Sequence, residues 1–308
     1  MSSPPDDISA LTVPFWGRMR YNGTSSRAGP AGPAGKPDGR KGGGSMKITA
    51  LVENTVSGQR AEQLGLGREH GLSLYIEACG HRILFDMGQS GLFARNAAAL
   101  GVDLAAVDLA VLSHGHYDHG GGLARFLELN GAAPVYLNEH AFEPHYHGSE
   151  RYIGLDTALA GSPRLRFTGD EAELAPGLTL FTCNGRPRRH DLGSFGLTVL
   201  RDGAFQPEDF CHEHYLLIRE AGRRVLISGC SHKGILNIVD WFRPHVLVGG
   251  FHFNSLPLDD TLAAYARELE SSPTVFYTCH CTGRDQYAFM ARSMSRLHYL
   301  STGQTIQL

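Results

Sequence analysis

Between Ser113 and Leu123 the chain reads SHGHYDHGGGL, which places His114, His116, Asp118 and His119 within six consecutive positions. Neutral imidazoles and carboxylates are the side chains that hold zinc and related transition metals, so this density points to metal chemistry. In an extended segment His114 and His116 project to the same side and can share one cation. Asp118 and His119 follow where the chain turns toward a helix, so they can serve a second cation beside the first. Gly120, Gly121 and Gly122 allow a close backbone approach there. The plain alternative is a polar loop with Asp118 as a helix N-cap, which leaves three clustered histidines without a reason.

Such a cluster needs a strand leading in and a helix leading out. Residues 107–112 are a buried-strand candidate, and residues 123–129 have helical spacing after the glycine triplet. Upstream, short β-rich runs occupy residues 48–52, 72–77 and 82–85, the last two separated by a Cys79-Gly80 turn signal, with a helix at residues 92–100. Downstream, residues 215–218 and 224–227 form a hairpin about Ala221-Gly222. Helices at residues 235–242, 261–269 and 284–294 then alternate with strands at 245–248 and 275–277. Strands and helices alternate in two comparable halves, which predicts an α/β protein with two packed sheets between outer helices.

Residues 23–45 are rich in Gly, Pro and Ser and cannot bury enough apolar surface to offset chain entropy. Residues 1–45 are therefore expected to be a disordered tail, with the folded domain spanning residues 46–308. Hydrophobic residues at 42% and charged residues at 19% fit an ordinary globular domain. A net charge of −3 gives no global basic field to attract nucleic acid or an anionic membrane. No run approaches the roughly 20 apolar residues of a membrane helix. The start lacks a signal-peptide pattern, and the six cysteines are too dispersed for a disulfide scaffold, so a cytoplasmic location with reduced thiols is expected. Sixteen histidines are the compositional oddity, again favouring a metal. The densest basic spot, Arg186, Arg188 and Arg189, is a solvated loop or a phosphate holder.

The HxHxDH string resembles the first motif of the metallo-β-lactamase superfamily, and the element order is similar to its αββα sandwich of two mixed sheets between outer helices. LVENT at 51–55, FDMGQSGL at 85–92, GCSHKGILNI at 229–238 and CHCTG at 279–283 resemble the branch of dihydropterin-ribofuranosylaminobenzene 5′-phosphate synthases. The resemblance implies further ligands from strand ends in the second half. His280 stands where the final histidine ligand is expected, and Cys230 where many relatives carry a bridging aspartate, with His232 a ligand in its stead. A buried thiol or a hydrogen-bonded core histidine is the plain reading of each. The third motif departs from the family pattern, since no GHT-like histidine lies between Pro176 and His190. His212 and Glu213 are the nearest substitutes. His252, in GGFHF, is a candidate for substrate contact or proton transfer.

Two cations about 4 Å apart can share a hydroxide whose pKa falls toward roughly 7, giving a nucleophile at neutral pH. Asp118 would orient it, and hydrolysis of a small phosphorylated or lactone-like metabolite is the default chemistry. The synthase branch implies instead the joining of a dihydropterin methyl diphosphate to a phosphorylated ribosyl-aminobenzene. Redox chemistry is disfavoured, because diiron relatives carry a glutamate where this chain has His116, and imidazoles suit zinc better. A non-catalytic metal-binding protein is the remaining class. Two zinc ions are the expected cofactor, with iron and manganese compatible with the same donors.

Overall fold

The computed structural model describes residues 46–308. The expected tail at residues 1–45 lies outside the described residues. Two seven-stranded mixed sheets form the centre of the fold. The first runs, in spatial order, Thr305–Gln307, Lys47–Val52, Ser73–Ala78, His81–Phe85, Leu109–Val111, Val135–Asn138 and Leu165–Thr168. The second runs Leu297–Tyr299, Val275–Thr278, Val246–Gly249, Arg223–Ser228, Tyr215–Glu220, Leu178–Phe181 and Glu171–Ala175. Parallel pairing from His81–Phe85 to Leu165–Thr168, and from Arg223–Ser228 to Leu297–Tyr299, is mixed with antiparallel pairing elsewhere in each sheet.

Alternation along the strands explains the layering. Ile48, Ile76, Ile83, Phe85 and Val111 of the first sheet face Leu180, Leu216, Ile218, Val225 and Val248 of the second in one buried core. The intervening residues point outward to helices, as period-two geometry requires. Leu84, Ala110 and Leu112 pack on Phe93 and Ala97 of the helix Leu92–Leu100 and on Leu123 and Phe126 of Leu123–Leu129. Leu217, Leu226 and Leu247 pack on Ile235, Ile238, Leu262, Ala266 and Met290, from the helices Ile235–Phe242, Asp260–Ser271 and Arg284–Met290. The result is an αββα sandwich. No helix among the described residues is long and apolar enough to cross a membrane.

Several expected boundaries shift. The strand before the histidine motif is only Leu109–Val111, because a short 3₁₀ turn at Leu104–Ala106 ends just before it. The last helix stops at Met290 rather than continuing to residue 294. The halves are also less separate than the sequence predicts, since the C-terminal strand Thr305–Gln307 closes the edge of the first sheet against Lys47–Val52. A third sheet of four strands, Ala204–Pro207, Leu197–Arg201, His145–His147 and Arg151–Tyr152, has no counterpart in the sequence reading. Its outer strands are exposed along their whole length and so carry no apolar periodicity.

Candidate metal centre

Loops at the carboxyl ends of strands from both main sheets meet at one edge of the sandwich. Asn54 follows Lys47–Val52, Asp86 follows His81–Phe85, and the histidine motif follows Leu109–Val111. From the second sheet come Cys230 and His232 after Arg223–Ser228, His252 after Val246–Gly249, and His280 after Val275–Thr278. Close approach is built in: a Cβ on Gly229 would lie 2.2 Å from Ser113 Oγ, so only glycine lets the two strand ends meet.

The structure brings His114, His116, Asp118, His119, His232 and His280 together. Ring centroids of His114 lie 4.6 Å from His116, 4.2 Å from His119 and 5.0 Å from His232, and His119 is 4.9 Å from His280. All six side chains are buried. Three donor groups built from them with Cys230 and His70, namely His114–His116–His232, His114–His119–Cys230 and His70–Asp118–His280, are compact enough to hold an ion.

Hydrogen bonding fixes which ring nitrogens stay free. Ser113 Oγ gives its proton to Asp86 Oδ2 at 2.7 Å, so it accepts from His114 Nδ1–H at 2.8 Å. His119 Nδ1–H donates to the same Asp86 oxygen at 2.7 Å. Asn54 Oδ1 accepts from Gly71 N–H and must therefore accept from His280 Nδ1–H at 2.8 Å. Each of these three rings is thereby left with a lone pair on Nε2. The His119 and His280 Nε2 atoms stand 3.3 Å apart, with Asp118 Oδ2 3.3 Å from the second and 3.9 Å from the first. Acceptors converging at that range repel one another unless a cation or a proton sits among them. His114 Nε2, His116 Nε2 and both nitrogens of His232 are buried with no partner at all. Buried polar atoms are otherwise paired, so the donor set fits a metal.

Three buried carboxylates orient these loops. Asp86 accepts from Ser113 N–H as well as from Ser113 and His119 side chains. Glu53 accepts from the His280 amide at 2.7 Å and from the Tyr299 hydroxyl at 2.7 Å. Glu213 accepts from the His232 amide at 2.7 Å, the Lys233 amide at 3.2 Å and the Tyr215 hydroxyl. Sequence reasoning did not reach Asp86 or Glu53; a charged residue directly ending an apolar strand run was the available signal. Glu213, one of the two third-motif candidates, is thus engaged by backbone donors. His212 instead packs beside His116, His145 and Glu208. Its Nδ1 accepts from Gly115 N–H at 2.8 Å, while His145 Nδ1 donates to Glu208 at 2.7 Å.

Cys230 is buried with its Sγ 3.1 Å from His119 Nε2, and burial raises its thiol pKa well above the usual value. His252 lines the cavity over the cluster at 4.3 Å from the His232 ring. Arg186, Arg188 and Arg189 lie elsewhere, bonded to Trp241 O, Asp209 O and Asp240, and none of them lines that cavity. All three are exposed, in keeping with a solvated loop rather than the alternative of a phosphate holder at this cavity.

Electrostatics matches the donor assignment. Burial holds His280 and His212 down to about 4 and keeps His114 and His232 well below the ordinary value, so all are neutral at pH 7. Burial also works against ionisation of Asp118, yet His119, His280 and His70 hold its carboxyl well below the usual range. His119 differs: burial lowers it, but Asp86 and Asp118 outweigh that and raise it. A pH dependence follows. His212, His214 and His280 titrate near 6.5 when unfolded and at about 4 when folded, so the unfolded chain binds more protons between those values. Their contribution is intact above pH 6.5 and is lost as pH falls toward 4, on the order of several kcal/mol in sum, with His119 opposing it. Urea unfolding of the metal-free protein at pH 7.5 and about pH 5 should show this loss.

The family model described as the metallo-beta-lactamase superfamily matches residues 66–267. This chain belongs to that superfamily. Among superfamily relatives, an uncharacterized protein of Methanocaldococcus jannaschii is 30% identical over 247 residues, covering 77% of this chain and 90% of that one. A protein of the same organism described as 7,8-dihydropterin-6-methyl-4-(beta-D-ribofuranosyl)-aminobenzene-5'-phosphate synthase is 25% identical over 270 residues, covering 78% and 90%. The solved structure of Tm1679, described as a metal-dependent hydrolase of the beta-lactamase superfamily, superposes with a TM-score of 0.73 at 28% identity, covering 85% of this chain and 99% of that one. YhfI from Bacillus subtilis, at 12% identity and a TM-score of 0.53, shares the metallo-β-lactamase fold.

Proposed function

We propose that this protein is a metal-dependent hydrolase with a dinuclear zinc centre held by His114, His116, Asp118, His119, His232 and His280, acting on a small phosphorylated or lactone-like metabolite. The observation that carries this reading is the convergence of His119 Nε2, His280 Nε2 and Asp118 Oδ2, all acceptors, beside the unpartnered nitrogens of His114, His116 and His232. The likeness to Tm1679, at 28% identity, supports hydrolysis. When bound, the metal pair supplies Lewis acidity and brings the pKa of a water toward about 7.

The chain's own residues then have separate tasks. Asp86, Ser113 and Asn54 keep the Nδ1 protons in place, so the Nε2 lone pairs remain directed inward. Asn54 Nδ2 donates to His70 Nδ1, so His70 Nε2–H is the donor to Asp118 at 3.2 Å, holding that carboxylate for water orientation. His252, neutral and with a buried unpartnered Nδ1, can accept or return a proton at the cavity surface.

A second reading, the synthase reaction, is favoured by the match to the pterin-related enzyme. Zinc-loaded protein incubated with phosphodiesters, lactones, and a dihydropterin methyl diphosphate together with a ribofuranosylaminobenzene phosphate separates the two, with products followed by mass. Water incorporation into a cleaved ester or lactone is the expected result. Diphosphate release only when both precursors are present would overturn it in favour of synthesis.

A further inference from the structure

The cavity over the histidine cluster, about 420 Å³ in volume, is lined by Asp118 as its single carboxylate. Four of its other lining residues come from the small four-stranded sheet and its flanks: His147, Arg151, Ile153 and Leu197. Ile153 and Leu197 are buried and belong to one apolar cluster with Phe210, against which Tyr117 and Phe195 pack. Arg151 is exposed, and none of the ion pairs among the described residues uses it. Its Nη2 donates to the Tyr117 hydroxyl at 2.9 Å, and its guanidinium lies 5.8 Å from the centre of that ring. Tyr117 N–H in turn donates to Ile153 O at 2.8 Å. Because Tyr117 stands between His116 and Asp118, these two bonds fix Arg151 relative to the candidate metal loop.

A positive fork at a cavity mouth, tied down but unpaired, is suited to a planar or tetrahedral anion, since a guanidinium offers paired N–H donors and stays charged at every relevant pH. We propose that Arg151 is an anion subsite. It takes a phosphate or carboxylate carried by the substrate away from the bond that is cleaved, while Ile153 and Leu197 receive the apolar part between. This rests on the hydrolase reading and narrows its substrate class to anionic metabolites with a compact apolar body.

Three chromogenic esters test it: 4-nitrophenyl butyrate, the mono-4-nitrophenyl ester of glutarate, and the 4-nitrophenyl ester of 4-phosphonobutyrate. The ratio of kcat/KM for an anionic ester to that for the neutral ester should fall about 10- to 100-fold in Arg151→Gln, the loss of one charge-assisted contact. The change should sit in KM, and Arg151→Lys should keep part of the ratio. The arm that loses more identifies phosphate or carboxylate as the preferred group. An unchanged ratio in Arg151→Gln would overturn the subsite. If none of the esters turns over, the hydrolase reading fails separately, and calorimetric binding of phenylphosphonate to the zinc-loaded protein decides the subsite. Binding at least about ten-fold weaker in Arg151→Gln upholds it, and equal binding refutes it.

Discussion

The His116→Ala protein is expected to lose metal and hydrolytic activity together, with activity down by more than about a hundred-fold. His116 is the ring shared between two donor groups, one with His114 and His232 and the other with His145, Glu208 and His212. Removing it takes a donor from the proposed metal centre. The metal-free variant should stay folded, because the lost packing is offset by removal of a buried nitrogen that had no partner. Elemental analysis of dialysed protein, alongside thermal unfolding, separates metal loss from misfolding. Full metal content in the double variant His114→Ala, His116→Ala would sink the ligand assignment.

Substitution of Asp86 should cost the most stability while touching no metal directly. Its two oxygens take three hydrogen bonds at 2.7 Å, from Ser113 N–H, Ser113 Oγ–H and His119 Nδ1–H, with no solvent exposure. Asp86→Ala leaves those donors buried and unpaired, a loss of about 3–5 kcal/mol. Asp86→Asn is the sharper test. An amide group facing the Ser113 hydroxyl and His119 Nδ1 offers one proton too many, which favours moving the His119 proton to Nε2. That removes the inward lone pair, so zinc affinity should fall about 10- to 100-fold even where the fold survives. Competition with a chromophoric chelator measures it. Unchanged affinity in a folded Asp86→Asn protein would show that Asp86 serves the fold alone. The backbone of Asp86 has φ +58, a region that aspartate and asparagine tolerate better than alanine, so Asp86→Ala carries a backbone cost that Asp86→Asn avoids.

His114, His116, Asp118 and His119 were readable as a group because they lie within six positions, so a short loop suffices to gather them. Eight of the fourteen strands of the two main sheets, and the helices that cover them, were readable because buried strands and amphipathic helices must repeat apolar residues with periods near 2 and 3.6, whereas Val135–Asn138, Leu165–Thr168, Glu171–Ala175, Leu178–Phe181, Leu297–Tyr299 and Thr305–Gln307 were not read. Family resemblance added His232 and His280, and position after a strand added His252, each on a loop at a strand end. What holds these residues was not readable. Asp86 bonds across 33 positions to His119, Glu53 across 227 to the His280 amide, and Glu208 across 63 to His145. A carboxylate's partner is decided by which strand ends the topology sets side by side, and no local spacing encodes that. For the same reason the clustered Arg186, Arg188 and Arg189 drew attention while Arg151 did not. Charge density is visible along the chain, but which cation faces the cavity depends on the small sheet of short, exposed strands, whose pairing is fixed only when the whole domain packs.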